Sequence, residues 1–344
     1  MRLVHLLPEP TISRQDCTML QNLADTLAGH NIAQYNTLVV TKDGRADPQR
    51  WREVRRRGSV RIYNERLSAL SHCPATPQLL LLGTIEGKLE DIMYGAVATT
   101  DEAMKIESAC TKDSVRDSKV LFEIVRPSFD DPFRTVAVKW RLYEGRDYVS
   151  LDATGIAGVR GRERIGYSIS HSVALSEIPN FEDTHRIERG NMSVCALYRQ
   201  KTPTTVECYV RGFFDFKTKN ECSRTCRSKP SPPSGRPTHG RCAVKKTVVA
   251  LAPDQHTVLE RKRSFCVSCM AAVESCDVMS IAREELVGHQ EEESDDDDAY
   301  WARLSSMTVN SSCYSSIVSR QSSLASLDSF SRRSLMGRGG SDLA

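Results

Sequence analysis

Alternation of apolar and polar residues dominates the chain over residues 134–216. Its clearest segment spans residues 164–173, where every second side chain is apolar or aromatic and those between are small or charged. This period-two pattern predicts at least five strands, each with one face buried and the other facing water. The positions on the alternating apolar side are Val136, Val138, Trp140, Leu142, Val149, Leu151, Ala153, Ile165, Tyr167, Ile169, His171, Val173, Met192, Val194, Ala196, Tyr198, Val206, Cys208 and Val210.

The loops between these strands are too short for helical crossovers. The strands should therefore pair in an antiparallel meander with a single apolar face. Because such a face has to be covered, we expect a helix to pack on it, either alone or with a ligand beneath it.

Helical periodicity is found before, within and after the strand series. Ser13 is a suitable N-cap for the first helix, and Gly29 stands where a glycine would end it. Two further strands are predicted, at residues 51–63 and 79–83. The predicted helices span residues 13–28, 87–97, 101–110 and 262–287.

Changes in composition divide the chain into five segments. The predicted organisation is an N-terminal helix and lead-in (1–48), a sheet with helices (49–216), a Pro/Ser-rich insertion or linker (217–245), a C-terminal helical segment closing the groove (246–287) and a disordered acidic, Ser-rich tail (288–344).

The overall composition is that of one or two globular domains. Of the 344 residues, 40% are hydrophobic and 26% are charged, and the formal charge of +3 is too small to indicate a nucleic-acid partner. The N-terminal residues do not read as a signal peptide, and no stretch approaches the ~20 apolar residues of a membrane span. We expect a cytoplasmic protein whose cysteines are reduced.

The charges are unevenly distributed. Residues 50–61 hold six arginines around a single acid, Glu53, and residues 291–298 are almost entirely acidic. The arginines would meet anionic membrane headgroups, each contributing on the order of 1 kcal/mol. The alternative is a solvated edge strand, where basic residues discourage pairing with another chain.

Catalytic templates are missing from the sequence, so we expect neither enzymatic activity nor a cofactor. There is no nucleophile elbow, phosphate loop, zinc-protease histidine pair or dinucleotide fingerprint. Asp147, Asp152 and His171 would be the residues to consider for acid–base chemistry, but their spacing supports no such set.

Five motifs follow one another in a recognisable order: RDYVSLD at 146–152, GYSISH at 166–171, EIP at 177–179, RIERG at 186–190 and VECYVRGFFD at 206–215. This order resembles the later strands of START-type lipid-transfer domains, the family of the steroidogenic acute regulatory protein. Residues 51–63 are similar to that family's opening strand, and residues 79–113 to the strand and helices behind it.

The resemblance implies an α+β helix-grip fold. In it a curved antiparallel β-sheet wraps around a C-terminal α-helix, an N-terminal helix precedes the sheet, and a groove holds one lipid or sterol. Tyr167, His171 and Tyr198 would present polar tips to a ligand hydroxyl or headgroup. The residues predicted to line the groove are Trp140, Val149, Leu151, Ile165, Tyr167, Ile169, His171, Met192, Val194 and Tyr198.

The chain also departs from the family. The family's closing helix normally follows the strand series directly, whereas residues 217–241 are rich in Pro, Ser and Lys, so the helix is expected at 262–287. Two other functions stay open. One is an adaptor with a collapsed pocket, in which the polar tips bond to protein groups; the other is a membrane-surface reader that uses residues 242–276 and the arginines.

A CxxC motif, Cys266 to Cys269, follows a basic triplet and is similar to a fragment of a FYVE-type zinc module, which reads phosphoinositide headgroups. A full module needs eight zinc ligands, and the remaining cysteines are too few and misspaced. One alternative is a four-cysteine site formed by Cys222, Cys226, Cys266 and Cys269. We prefer the interpretation that these cysteines bind no metal.

Overall fold

The structure is a computed structural model of the chain. It describes residues 3–41, 44–66, 78–159, 163–214, 243–252, 257–266, 271 and 274–291. A short 3-10 helix, Leu3–Leu6, comes first. The α-helices are α1 Arg14–Asn36, α2 Leu89–Ala96, α3 Asp101–Thr111, α4 Glu182–His185 and α5 Val278–Glu291.

The strands alternate with loops through most of the described chain. They are β1 Trp51–Arg57, β2 Val60–Glu65, β3 Leu79–Glu86, β4 Asp117–Val125, β5 Thr135–Tyr143, β6 Arg146–Val159, β7 Glu163–Ser172, β8 Glu188–Arg189, β9 Met192–Thr202, β10 Thr205–Phe214, β11 Ala243–Leu251 and β12 Val258–Cys266.

One large sheet organises these strands, in the order β1-β2-β3-β10-β9-β7-β6-β5-β4, with every neighbouring pair antiparallel. The short β8 adds a parallel contact to β6, and β11 pairs with β12 in a separate hairpin. The five strands predicted from alternation are β5, β6, β7, β9 and β10. The predicted α+β class, with its large antiparallel sheet, N-terminal helix and C-terminal helix, is confirmed.

Helix α1 covers one face of this sheet, which we call the α1 face. Its small residues Ala24 and Ala28 are buried, so the helix backbone lies close to the strands. Polar contacts hold it there: Arg134 donates to Asp25 of α1 at 2.7 Å and to the Tyr167 hydroxyl at 2.8 Å. The α1 face is therefore a filled core.

Helices α2 and α5 cover part of the opposite face, which we call the groove face. Gly166 permits the close approach of α2, because a Cβ there would lie 2.5 Å from the Met93 sulfur. Helix α5 buries Val278 and Ile281 in the same apolar cluster. The Tyr94 hydroxyl of α2 donates to Glu285 of α5 at 2.6 Å, so the two helices are tied to each other.

One helix boundary in the first part of the chain differs from the prediction. The two short helices at 87–97 and 101–110 are confirmed as α2 and α3. Gly29, in contrast, does not end the first helix, which continues to Asn36. Ile32 and Tyr35 pack against the core, and this packing outweighs the ~1 kcal/mol that glycine costs within a helix.

The predicted helical segment at 246–287 is wrong over its first part. Residues 243–251 and 258–266 form the β11–β12 hairpin, and helical residues appear at 271, 274 and 275 ahead of helix α5. The β-branched run Thr247, Val248 and Val249 favours a strand, and this propensity prevails over the helical spacing of the residues that follow. The predicted linker core 217–241 and most of the predicted tail lie outside the described residues. No described helix is long and apolar enough to cross a membrane.

Replacement of Ala24 by Leu tests the close packing of α1. The added carbons meet the sheet, so we expect a loss of about 1–3 kcal/mol in the free energy of unfolding. Ala33→Leu, the same change at an exposed position of the same helix, should change it by less than about 0.5 kcal/mol. Urea unfolding measures both, and equal effects would contradict the described position of α1.

Candidate functional site: the groove face of the sheet

The ten residues predicted to line one groove lie on two faces. Strand register places Trp140 opposite Val149 and Leu151 opposite His171 on the α1 face. Met192, Val194 and Tyr198 lie on the groove face. The residues found on the α1 face are Trp140, Val149, Leu151, Ile165, Tyr167, Ile169 and His171.

The expectation of one shared apolar face is therefore wrong, and β9 shows why. Cys195 and Leu197 belong to the core beneath α1, whereas Ala196 and Tyr198 belong to the cluster around α2 and α5. Because this central strand is buried on both sides, both sets of alternating positions are apolar. Alternation alone cannot say which set joins the apolar positions of the neighbouring strand.

The three polar tips also separate. Arg134 donates to the Tyr167 hydroxyl, and His171 Nδ1 lies 2.9 Å from the Ser193 hydroxyl, so both are satisfied within the α1 face. This is the arrangement expected for a filled core. Tyr198 is on the groove face, and no described residue forms a hydrogen bond with its hydroxyl. Burial, above all, raises the pKa of Tyr198 well above its usual value.

The residues considered for acid–base chemistry do not come together. Asp147 and His171 are on the α1 face and Asp152 is on the groove face. Asp147 is fully buried and accepts hydrogen bonds from Trp140 Nε1 at 2.8 Å and from the Arg189 guanidinium at 2.9 Å. Its contacts fix the chain around β8 to the sheet.

Asp152 is the centre of a buried polar cluster on the groove face. Its carboxylate lies 2.6 Å from an Arg141 nitrogen and 3.7 Å from Lys139 Nζ. The hydroxyls of Ser150 and Ser170 donate to its other oxygen, at 2.7 Å and 3.0 Å. This carboxylate thus compensates two cations in the protein interior.

The pKa values follow from these contacts. Burial by itself would raise the pKa of Asp152, but the charges of Arg141 and Lys139 hold it below its ordinary value. Burial lowers the pKa of Lys139, although Asp152 opposes this shift. Asp152 also keeps the pKa of Arg141 raised despite burial.

Glu107 of α3 approaches the same cluster from above the sheet. Burial raises its pKa, while Arg141 and Lys139 act in the opposite direction. Among the described residues its carboxylate has no hydrogen-bond or ion-pair partner, yet the residue keeps part of its surface accessible. Burial of Glu107 therefore outweighs the favourable charges of Arg141 and Lys139.

Polarity changes from one side of the groove face to the other. On β5, β6 and β7 the register brings Ser150 opposite Lys139 and Asp152 opposite Ser170. On β9, β10 and β3 it brings Ala196 opposite Val210 and then Leu81. The arrangement can hold a molecule with a polar end against the first group and an apolar body against the second.

Sequence reasoning missed the polar half of this surface. Arg141, Asp152 and Ser170 occupy the positions that alternation assigns to a water-facing side. One indication of this polar surface was nevertheless present. Strands β5, β6 and β7 belong to a central sheet, and both faces of such a sheet need to be covered. Glu107 left no such signal, because an acid on a short helix is usually solvated.

No family model matches the chain, and no curated protein matches it. Three solved structures with partial similarity have START-type names. Human STARD10 has a TM-score of 0.34 at 15% identity over 50% of this chain and 63% of that chain. Human StAR-related lipid transfer protein 5 has a TM-score of 0.37 at 15% identity, covering 59% and 86% respectively.

The third is the lipid transfer and protein localization domain of human StarD13, with a TM-score of 0.36 and 10% identity over 61% of this chain and 87% of that chain. At these TM-scores and identities, the fold and the site are defined by the strands and helices of this chain alone. None of the three names refers to a FYVE module, and Cys222, Cys226 and Cys269 lie outside the described residues.

Replacement of Asp152 by Asn should destabilise the fold by about 3–5 kcal/mol, because it leaves Arg141 and Lys139 without a compensating charge. The lowered pKa of Asp152 sets the pH dependence: its contribution is present above the ordinary Asp pKa and is lost as pH falls through the folded value. Urea unfolding of both proteins between pH 7 and pH 3 measures this. A constant difference across that range would contradict the assignment.

Replacement of Glu107 by Gln should have the opposite effect. Because the folded state raises the pKa of Glu107, ionisation costs stability as pH rises above the ordinary Glu pKa, and the variant escapes this cost. We expect Glu107→Gln to be at least as stable as the wild type at pH 7 and to lose any advantage near pH 3. The same urea series tests it, and a large loss at pH 7 would show that Glu107 is a structural partner.

Proposed function

We propose that this chain binds one amphipathic lipid, such as a sterol or a phospholipid, on the groove face and can carry it between membranes. The observation that carries the proposal is the division of the groove face into the polar Asp152 cluster and the apolar residues of β9, β10 and β3. A ligand with a polar end and an apolar body matches this division.

The apolar half supplies affinity. Ala196 and Val210 keep part of their surface accessible beside the buried residues of β9 and β10. Removing apolar ligand surface from water is favourable by roughly 25 cal/mol per Å². An acyl chain or a sterol ring system therefore fits this side better than a polar metabolite does.

The polar half supplies orientation. Asp152 holds the polar cluster together and does not contact the ligand, because its oxygens already have protein partners. These are Arg141, Lys139, Ser150 and Ser170. Glu107 and the Tyr198 hydroxyl are the groups without protein partners. A ligand hydroxyl or headgroup amine would donate to the Glu107 carboxylate, and a ligand oxygen would accept from Tyr198.

Helix α5 is the candidate cover. It packs on α2 and on the groove face, and Arg283 Nε donates to the Phe129 carbonyl at 2.9 Å. Displacement of α5 would open the groove to a membrane without unfolding the sheet. The function needs no covalent step, and we assign no catalytic residue.

Replacement of Ala196 by Trp tests the proposal by filling the groove. We expect lipid bound to the purified protein, seen by native mass spectrometry, and uptake of fluorescent sterols or phospholipids to fall at least about tenfold. Ala33→Trp adds the same side chain at an exposed site of α1 and should leave uptake unchanged. Circular dichroism and urea unfolding establish that both variants are folded.

A wild-type protein that purifies without lipid and takes up none from a panel of sterols and phospholipids would contradict the proposal. That result would favour the adaptor with a collapsed pocket. In it α5 would fill the groove permanently, as Val278, Ile281 and Ala282 already do in part.

A further inference from the structure

The β11–β12 hairpin packs on α3 through one side. Val249 is buried there, and Glu260, opposite it in the register, is close enough to the Cys110 thiol of α3 to act on it. Burial, with Glu260 and Glu107 adding to it, raises the pKa of Cys110 to about 12. The hairpin is thus anchored to the helix that carries Glu107.

The rest of the hairpin is strongly basic. Lys245 and Lys246 lie on β11, Arg261 and Lys262 on β12, and all except the half-buried Lys246 are exposed. Within the described parts of the chain, none of the four has an ion-pair partner. We call this surface the basic hairpin.

The register concentrates these charges. Lys262 pairs with Thr247 and Arg261 with Val248, so each lies diagonally across from one of the two lysines of β11. Diagonal neighbours on paired strands are ~7–8 Å apart at Cα. Because side chains alternate along a strand, Lys245 and Lys262 share the face of Val249, and Lys246 and Arg261 share the opposite face. Within each pair the like charges repel one another, and a polyanion that binds them is favoured.

The chain contains such a polyanion at residues 291–298. Seven of its eight residues are acidic, and only Ser294 interrupts them. The run begins at Glu291, the last residue of α5. The carboxyl end of a helix carries partial negative charge, so the end of α5 repels these acids. The arginine of α5, Arg283, lies in the middle of the helix.

The acidic segment and the basic hairpin follow from neighbouring elements of the fold. Helix α5 is attached to α2, the hairpin is attached to α3, and only residues 97–100 separate α2 from α3. An extended chain spans ~3.3 Å per residue, so the residues from 292 to 298 reach ~23 Å from the end of α5. That is about two helix diameters.

We propose that the acidic segment 291–298 binds the basic hairpin of the same chain. The formal charge of +3 for the whole chain fits this proposal, since the basic and acidic blocks largely cancel while lying in separate elements. Bound in this way, the segment covers lysines of the basic hairpin and keeps them from other anions. The proposal is independent of whether the groove holds a lipid.

Carbodiimide cross-linking of the full-length protein tests it, because this reagent joins a carboxylate to a lysine amine in direct contact. In low salt we expect links from residues 291–298 to Lys245, Lys246 or Lys262, and their loss in 1 M salt. An equal mixture of ¹⁴N- and ¹⁵N-labelled protein separates links within a chain from links between chains. Links found only between chains would overturn the proposal.

Two variants complete the test. Asp295, Asp296, Asp297 and Asp298 are replaced together by Asn or, as the charge-matched control, together by Glu. With Asn we expect acylation of the hairpin lysines by a small reagent to rise about fivefold, the factor that corresponds to ~1 kcal/mol. With Glu it should stay at the wild-type rate, and Lys201, far along the chain on β9, should react equally in all three proteins.

Equal reactivity of the hairpin lysines in the Asn variant and the wild type would overturn the proposal. So would protection that appears only when vesicles of phosphatidylserine and phosphatidylcholine are added to either protein. That second result would identify an anionic membrane as the occupant of the basic hairpin.

Discussion

Burial of the central sheet on both faces is the constraint on which the rest of this structure depends. Strand β9 has neighbours on each side and apolar residues on both faces, so neither face can be left to solvent without exposing apolar surface. Helix α1 covers one face with small residues and close contact. The opposite face is shared among α2, α3 and α5.

Charge in the interior follows from that division. On the closely packed α1 face, the buried Asp147 carboxylate has the Arg189 guanidinium as its partner. The groove face instead holds two cations, a compensated acid and an uncompensated one. A buried ion pair contributes little net stability, but removing one partner is costly, so the Asp152 cluster stays intact once it is formed.

The sequence predicts the strands well and the faces poorly, for a physical reason. The alternation of apolar and polar residues in β7 is a local property of the sequence, so it does not depend on how the strands are arranged in the sheet. Whether Tyr198 lies on the same face as Ile165 depends on the register between β7 and β9. These strands are joined by the long connection through α4 and β8, and no short turn indicates their register from the sequence. The role of Glu107 is further removed still, because it arises only when α3 is laid over strands that follow it in the chain.

The split of β9 between two faces has a consequence for how this protein can diversify. Its odd-numbered core residues, Cys195 and Leu197, pack beneath α1, whereas its even-numbered residues, Ala196 and Tyr198, meet the groove. In the proposed function, ligand preference therefore depends on one set of positions and packing beneath α1 on another, and the two sets alternate along the strand. A library randomised only at even positions of β9 and β10 would explore new ligands while leaving the α1 core untouched, which makes this scaffold suitable for directed evolution.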